Sequence, residues 1–150
     1  MQITTRAATH EDATLLAELI RELAIYERLE HVCKITPDIL LAELFRERPA
    51  AEAVIGEIDG VAQGFALFFT NFSTFLGKQG LYLEDLFVRP ESRGKGLGRR
   101  LLERLIAIAR EREYGRVEWS VLNWNVDAQG FYRKLGAEPM NDWTVWRVSL

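Results

Sequence analysis

The sequence predicts a mixed α/β domain in which helices flank a twisted central sheet, and three observations lead there. The chain has 150 residues, the size of one domain with a sizeable core. Its apolar residues recur at helical spacing near the start, then alternate with a period of two from residue 52 onward. Strand patterns then follow one another directly, and one strand–loop–helix–strand crossover comes after them. Antiparallel pairing therefore gives way to a single parallel junction.

Ile3–Arg6 reads as a short first strand. Thr9 offers an N-cap with Asp12 three residues on, and Leu15, Leu16, Leu19, Ile20, Leu23 and Tyr26 follow at helical spacing, predicting a helix over 10–27. A second helix opens at Thr36-Pro37, with proline in the first helical position, and carries Ile39, Leu40, Leu44 and Phe45. The stretch AVIGEIDGVAQGFALFF holds an Asp59-Gly60 hairpin signal between two alternating runs. LYLEDLFV, residues 81–88, is mostly apolar and reads as a central strand. It feeds the segment VRPESRGKGLGRRLL, after which Leu97, Leu101, Leu105 and Ile108 place an apolar stripe on a helix ending near Tyr114-Gly115. RVEWSVL is the next strand. Asn125 caps a short helix through Leu135, which Gly136 closes, and Trp143–Leu150 alternates as a last strand.

The formal net charge of −3 gives no general attraction to nucleic acid or anionic membrane, so any bound anion needs a local basic patch. Cys33 is the only cysteine, which excludes an intramolecular disulfide and a cysteine-based metal cluster; it reads as a small, partly buried apolar residue. His10 and His31 have no metal-ligand spacing, and no metal is expected. MQITTRAATHED lacks the apolar run of a signal peptide, and no stretch approaches membrane-spanning length. A cytoplasmic location is the expectation.

The segment from Val88 to Leu102 concentrates three alternate glycines and five cations where a helix begins. The first turn of a helix leaves N–H groups unpaired and carries partial positive charge, and glycines let the backbone approach an anion closely. Gly94, Gly96 and Gly98 therefore suit a pyrophosphate, with Arg93, Lys95, Arg99 and Arg100 as supplementary charge. A Walker loop needs Ser or Thr after Gly-Lys, and Lys95 is followed by Gly96. A dinucleotide fingerprint needs G-x-G-x-x-G near the first strand, whereas this segment is G-x-G-x-G past the middle, although Glu118 lies about twenty residues on. A solvated basic helix start without a ligand is the remaining reading.

Arg93-Gly94-Lys95-Gly96-Leu97-Gly98 resembles the R/Q-x-x-G-x-G/A signature of the GNAT superfamily of acetyl-CoA-dependent N-acetyltransferases, and the element order is similar to that fold. Tyr26-Glu27 after a leucine-rich helix, the LYLEDLFV strand, and Trp124-Asn125 with Phe131-Tyr132 resemble the spermidine/spermine branch, which includes diamine and thialysine acetyltransferases. The resemblance covers nearly the whole chain. It implies that the loop from Arg93 through Gly98 to Arg99 binds the CoA pyrophosphate, and that the preceding strand, Leu86, Phe87 and Val88, holds the pantetheine arm. It also assigns Asn125, Ala128 and Tyr132 to the cofactor. A homodimer is implied, with the amine site shared between subunits.

Acetyl transfer to an amine poses three problems. An alkylammonium with a pKa near ~10 must lose a proton, the tetrahedral oxyanion must be stabilised, and the leaving thiolate benefits from a proton. Glu84 is the candidate base, acting directly or through water; it also reads as a group that only attracts the amine. The resemblance places the oxyanion at a backbone N–H freed by a bulge near Leu86 or Phe87, and makes Tyr132 the proton donor to sulfur. For the amine, the candidate partners are Glu27, Glu84, Asp85, Glu118 and Asp142, with Tyr26 and Trp119 able to pack on an alkyl chain or offer cation–π contact. Each also reads as ordinary surface or core.

The reading is an acetyl-CoA-dependent N-acetyltransferase acting on a small primary amine, either a polyamine or diamine or a lysine-like amino acid such as thialysine. Attack is expected to be direct, in a ternary complex. A protein lysine or N-terminal acceptor, and a CoA-binding module without catalysis, are the alternatives.

Overall fold

Asp12 organises the start of the fold. Its buried carboxylate accepts the Thr9 N–H at 2.7 Å and two N–H groups of Arg6 at 2.8 and 2.9 Å. The Arg6 guanidinium holds this carboxyl below the usual carboxylate range, against the opposing effect of burial. One side chain thereby ties the first strand, β1 (Ile3–Ala7), to the entry of the first helix, α1 (Ala13–Tyr26). A short 3₁₀ turn at His10–Asp12 replaces the first turn of the predicted helix.

The computed structural model describes residues 1–150 as two compact units, Met1–Trp119 and Ser120–Leu150. In the first unit, α1 and α2 (Pro37–Leu44) precede β2 (Glu52–Ile58), β3 (Val61–Ser73) and β4 (Lys78–Val88). The helix α3 (Leu97–Glu111) and a three-residue β5 (Val117–Trp119) complete it. The sheet order is β1-β2-β3-β4-β5, antiparallel except for the parallel pair β4/β5, as the element order predicts.

The Asp59-Gly60 turn joins β2 to β3 with both residues at positive φ (50° and 80°), the backbone of a two-residue hairpin that matches strand twist. One sheet face packs against α1 and α2. Leu16, Leu19 and Leu23 of α1 and Leu40 of α2 meet Ile55, Phe65, Leu67 and Phe87 in one buried cluster. The other face takes α3, whose Leu97, Leu101, Leu102 and Leu105 are all buried. Gly56 permits that approach, because a Cβ there would lie 2.8 Å from Leu97 Cδ1.

Two ladder irregularities shape the sheet. Gly56 pairs Gly64 and Glu57 pairs Ala62, so Gln63 is an extra residue in β3. Leu67 pairs Asp85 and Phe68 pairs Leu83, so Glu84 is extra in β4. The expected bulge near Leu86 or Phe87 therefore lies earlier, at Glu84. Its effect on packing explains the position. Leu81, Leu83, Asp85 and Phe87 are all odd-numbered and would share one face of a regular strand. The inserted residue sends Leu81 and Leu83 away from the cluster that holds Phe87, so all three apolar side chains are buried.

In the second unit, α4 (Val126–Lys134) is capped by Asn125, whose Oδ1 accepts the Ala128 N–H at 3.3 Å. Gly136 closes it at φ 88°. Two predicted strands differ from the structure. RVEWSVL shortens to Val117–Trp119, because the parallel ladder engages only Leu81–Leu83. Trp143–Leu150 forms no strand: its alternation supplies the pattern, but no ladder pairs with it.

The tightest backbone approach in the sheet is at Gly64, where a Cβ would stand 2.5 Å from the Phe87 carbonyl oxygen. Gly64→Ala should lower stability by about 1–3 kcal/mol, since the clash is with backbone. Gly56→Ala should cost less, because flexible leucine termini can yield. Thermal unfolding of the two variants checks the order.

Candidate active site

The site-forming part of the first unit begins where β5 ends. β5 pairs only with Leu81–Leu83, so residues 84–88 of β4 have β3 on one side and no strand on the other. Main-chain groups on that open side are available to an extended ligand. Leu86, Phe87 and Val88, the residues expected to hold a pantetheine arm, all lie on this stretch.

Acidic side chains gather at the same place. Asp85 lies opposite Leu67, on the face covered by α1, whose C-terminal turn carries Tyr26 and then Glu27. Burial, and after it the charges of Glu84 and Glu27, push the Asp85 carboxyl up to about 7. Burial also raises Glu27. Glu84, the bulged residue, is exposed. Glu84 and Glu27 thus both stand near enough to Asp85 to repel its charge, at a helix C-terminus that itself carries partial negative charge. The arrangement costs stability and favours a cation.

Beyond β4, the chain is anchored before it turns. Arg89 makes ion pairs with Glu22, at 2.9 Å, and Glu18, at 3.9 Å. Its N–H donates to the carbonyl of the bulged Gln63 at 2.9 Å, and Ser92 Oγ donates to Gln63 Oε1 at 2.9 Å. Gly94 and Gly96 then adopt positive φ (77° and 94°), and Gly96 is the N-cap of α3. The first helical N–H bonded along this turn is that of Arg100, to the Gly96 carbonyl. The N–H groups from Gly94 through Arg99 donate to no backbone carbonyl or side chain, a row of donors at a helix N-terminus.

The five cations of this segment divide. Arg89 belongs to α1, Arg93 turns back toward β4, and Arg99 pairs with Glu103 at 2.8 Å. Lys95 and Arg100 carry no ion pair. A pyrophosphate fits this set: backbone donors, two uncommitted cations, and positive-φ glycines with no Cβ between donor and ligand.

Other predicted residues lie elsewhere. Glu118 pairs with Arg116 at 3.0 Å, and Trp119 ends β5 opposite Leu83. In the second unit, Asn125 is buried at the head of α4 and Ala128 donates to it. Tyr132 stacks obliquely on Phe131 at 5.3 Å, and Asp142 is exposed in the turn before Trp143. Sequence reasoning missed Gln63 and Arg89 as anchors of the loop, and missed the upward shift of the Asp85 carboxyl. The Glu-Asp doublet in an apolar strand was the available signal for Asp85; nothing in the sequence marked Gln63.

Residues 16–137 match the Acetyltransferase (GNAT) family. The chain belongs to that family: it is an N-acetyltransferase, and the family uses acetyl-CoA as co-substrate. It is 32% identical to an L-ornithine N5-acetyltransferase of Arabidopsis thaliana, over 96% of this chain and 83% of the relative. It is 34% identical to a thialysine N-epsilon-acetyltransferase of Bos taurus, over 94% of this chain and 87% of that protein. Among solved structures, an integron cassette protein from the mobile metagenome of V. cholerae superimposes with a TM-score of 0.82 at 23% identity, covering 99% of this chain and 93% of the other. That likeness concerns the fold. No helix is long and apolar enough to cross a membrane.

The Asp85 proton has a measurable consequence. The carboxyl is raised from 3.8 when unperturbed to about 7 in the fold. Between those values the folded state keeps a proton that the unfolded state has released, so stability falls as pH rises from about 4 to about 7. Asp85→Asn removes this dependence. Its melting temperature should match the parent near pH 4, exceed it increasingly up to pH 7, and hold a constant excess above. Thermal melts across that range test it, and an excess that is flat with pH would contradict it.

Proposed function

We propose that this enzyme acetylates the terminal primary amine of a small molecule, a lysine-like amino acid of the ornithine or thialysine type or a diamine or polyamine. The observation that carries the reading is the acidic group Glu27, Glu84 and Asp85, in which burial first and then the charges of Glu84 and Glu27 raise Asp85 to about 7. An ammonium placed among these groups relieves that repulsion. The printed activities of the relatives, on ornithine and on thialysine, support an acceptor of this class.

The two units act as one domain in this proposal, and the family match across residues 16–137 supports it. When bound, acetyl-CoA supplies an activated acetyl thioester. The backbone donors of 94–99, with Lys95 and Arg100, hold its pyrophosphate, and the open side of β4 from Glu84 to Val88 receives the pantetheine arm. Asn125 and Ala128 contribute from α4. The amine arrives charged and sheds its proton to the Glu84–Asp85 pair, directly or through water. A group whose pKa lies near neutrality accepts a proton efficiently there. The neutral amine then attacks the thioester carbonyl directly, and a β4 backbone N–H on the open side meets the oxyanion. As the carbon–sulfur bond breaks, Tyr132 donates its phenolic proton to the sulfur.

A homodimer is part of the proposal. Trp143, Val145, Trp146, Val148 and Leu150 are 77–120% exposed in a segment with strand alternation and no ladder. A second copy of the chain is the partner that would give this segment a neighbour and cover its aromatic side chains.

Thiol release from acetyl-CoA across a panel of diamines, polyamines and diamino acids tests the acceptor. Turnover is expected with at least one of these classes; activity only on peptides would overturn the small-molecule reading. Tyr132→Phe should slow turnover by about 10²-fold with acetyl-CoA binding retained. Light scattering should give twice the chain mass for the full chain and a monomer when residues 143–150 are removed.

A further inference from the structure

Arg93 is the first cation of the glycine segment, and its side chain leaves that segment. Nε donates to the Val88 carbonyl at 2.9 Å. The guanidinium carbon lies 4.7 Å from the centroid of the Tyr26 ring and 5.6 Å from that of Phe87. Its backbone N–H is also committed, to the Pro90 carbonyl at 3.2 Å. Phe87 is 4% exposed within the core beneath α1, and Tyr26 packs on the rim of that core. One side chain therefore joins the end of β4, the start of the loop and the last turn of α1.

The chemistry of the residue suits that place. A guanidinium is planar and weakly hydrated, so it can stack against aromatic faces while donating in its own plane; an ammonium cannot do both. The end of α1 gives it something to hold. The helix stops at Tyr26, and Arg28 already stands in the left-handed region at φ 62°, which disfavours a side chain with a Cβ. Glu27 sits between these two residues, so its carboxyl is placed by whatever fixes Tyr26.

We propose that Arg93 is a positioning residue for the acceptor amine. It fixes Tyr26, and with it Glu27, against the carboxyl groups of β4, and it does not hold the cofactor's phosphates. The proposal rests on the reading of the acidic group as the amine site. It departs from the sequence expectation that assigned Arg93 to the pyrophosphate. Lys95 and Arg100 remain for that role.

The test uses Arg93→Gln, Arg93→Lys and Tyr26→Leu in the full chain. In hydrogen exchange, amides 23–29 of Arg93→Gln should exchange about tenfold faster, with 13–19 unchanged, because two cation–π contacts are lost. In steady-state kinetics, KM for ornithine and for putrescine should rise together by about tenfold, with kcat changed less. Calorimetric affinity for acetyl-CoA should stay within about twofold. Arg93→Lys and Tyr26→Leu should each resemble Arg93→Gln. The double change Arg93→Gln/Tyr26→Leu should be no worse than either alone. A fall in acetyl-CoA affinity with amine KM unmoved would make Arg93 a phosphate ligand. A loss confined to ornithine would make it a ligand for the substrate carboxylate. Unaltered exchange at 23–29 would remove the positioning role. Each of these three results overturns the proposal. If the parent turns over neither amine, the acceptor reading fails by itself, and the exchange result still decides the role of Arg93.

Discussion

A strand repeats its side-chain direction every two residues, so a single inserted residue reverses everything beyond it. In β4 that insertion is Glu84, and the rest of the site depends on it. Before the bulge, Leu81 and Leu83 serve one face of the sheet. After it, Phe87 joins the core under α1, and Asp85 is carried to the same side. A half-buried carboxyl beside α1 is a direct result of placing Phe87 correctly. The second insertion, Gln63, acts on the loop, giving its carbonyl to Arg89 and its side chain to Ser92. Two ladder defects thus set the carboxyl groups and the start of the glycine turn.

The division of labour among the cations follows from burial. Five positive side chains in fifteen residues look like a single patch when read as sequence. In the fold, Arg89 is bound to Glu22 and Glu18 on α1, and Arg93 is held between aromatic faces. Both stabilise the approach to the loop. The proposed anion site would rely mainly on backbone donors at a helix start, which are fixed in direction and cost no side-chain ordering. Such a site can function in a chain whose net charge is −3.

Much of this was legible in the sequence where local rules govern. The Asp59-Gly60 turn, the Thr36 and Asn125 caps and the αL glycines 94, 96 and 136 each follow from the conformational preference of one or two residues. Helix stripes and the single parallel junction were equally readable. What failed needed partners. The alternation of Trp143–Leu150 is a strand pattern, but strands exist only as pairs, and periodicity carries no information about a neighbour. The bulge was expected two or three residues late, because a strand written LYLEDLFV shows no sign of where its phase slips. The contacts of Arg93 with Tyr26, sixty-seven residues away, were likewise beyond the charge pattern and the loop signature, which together pointed it to the phosphates.

The crowded carboxyl groups have a thermodynamic meaning beyond placement. Near neutral pH the Asp85 carboxyl, raised to about 7 by burial and then by the charges of Glu84 and Glu27, exchanges its proton with the medium. In the proposed amine site, a proton and an ammonium would therefore compete for the same charge. Every equivalent of amine that binds there displaces part of an equivalent of acid into the medium, and acidification of the medium drives the exchange backward. By linkage, an amine site built on these carboxyl groups, as proposed, would measure the ratio of amine to hydrogen ion and not the amine alone.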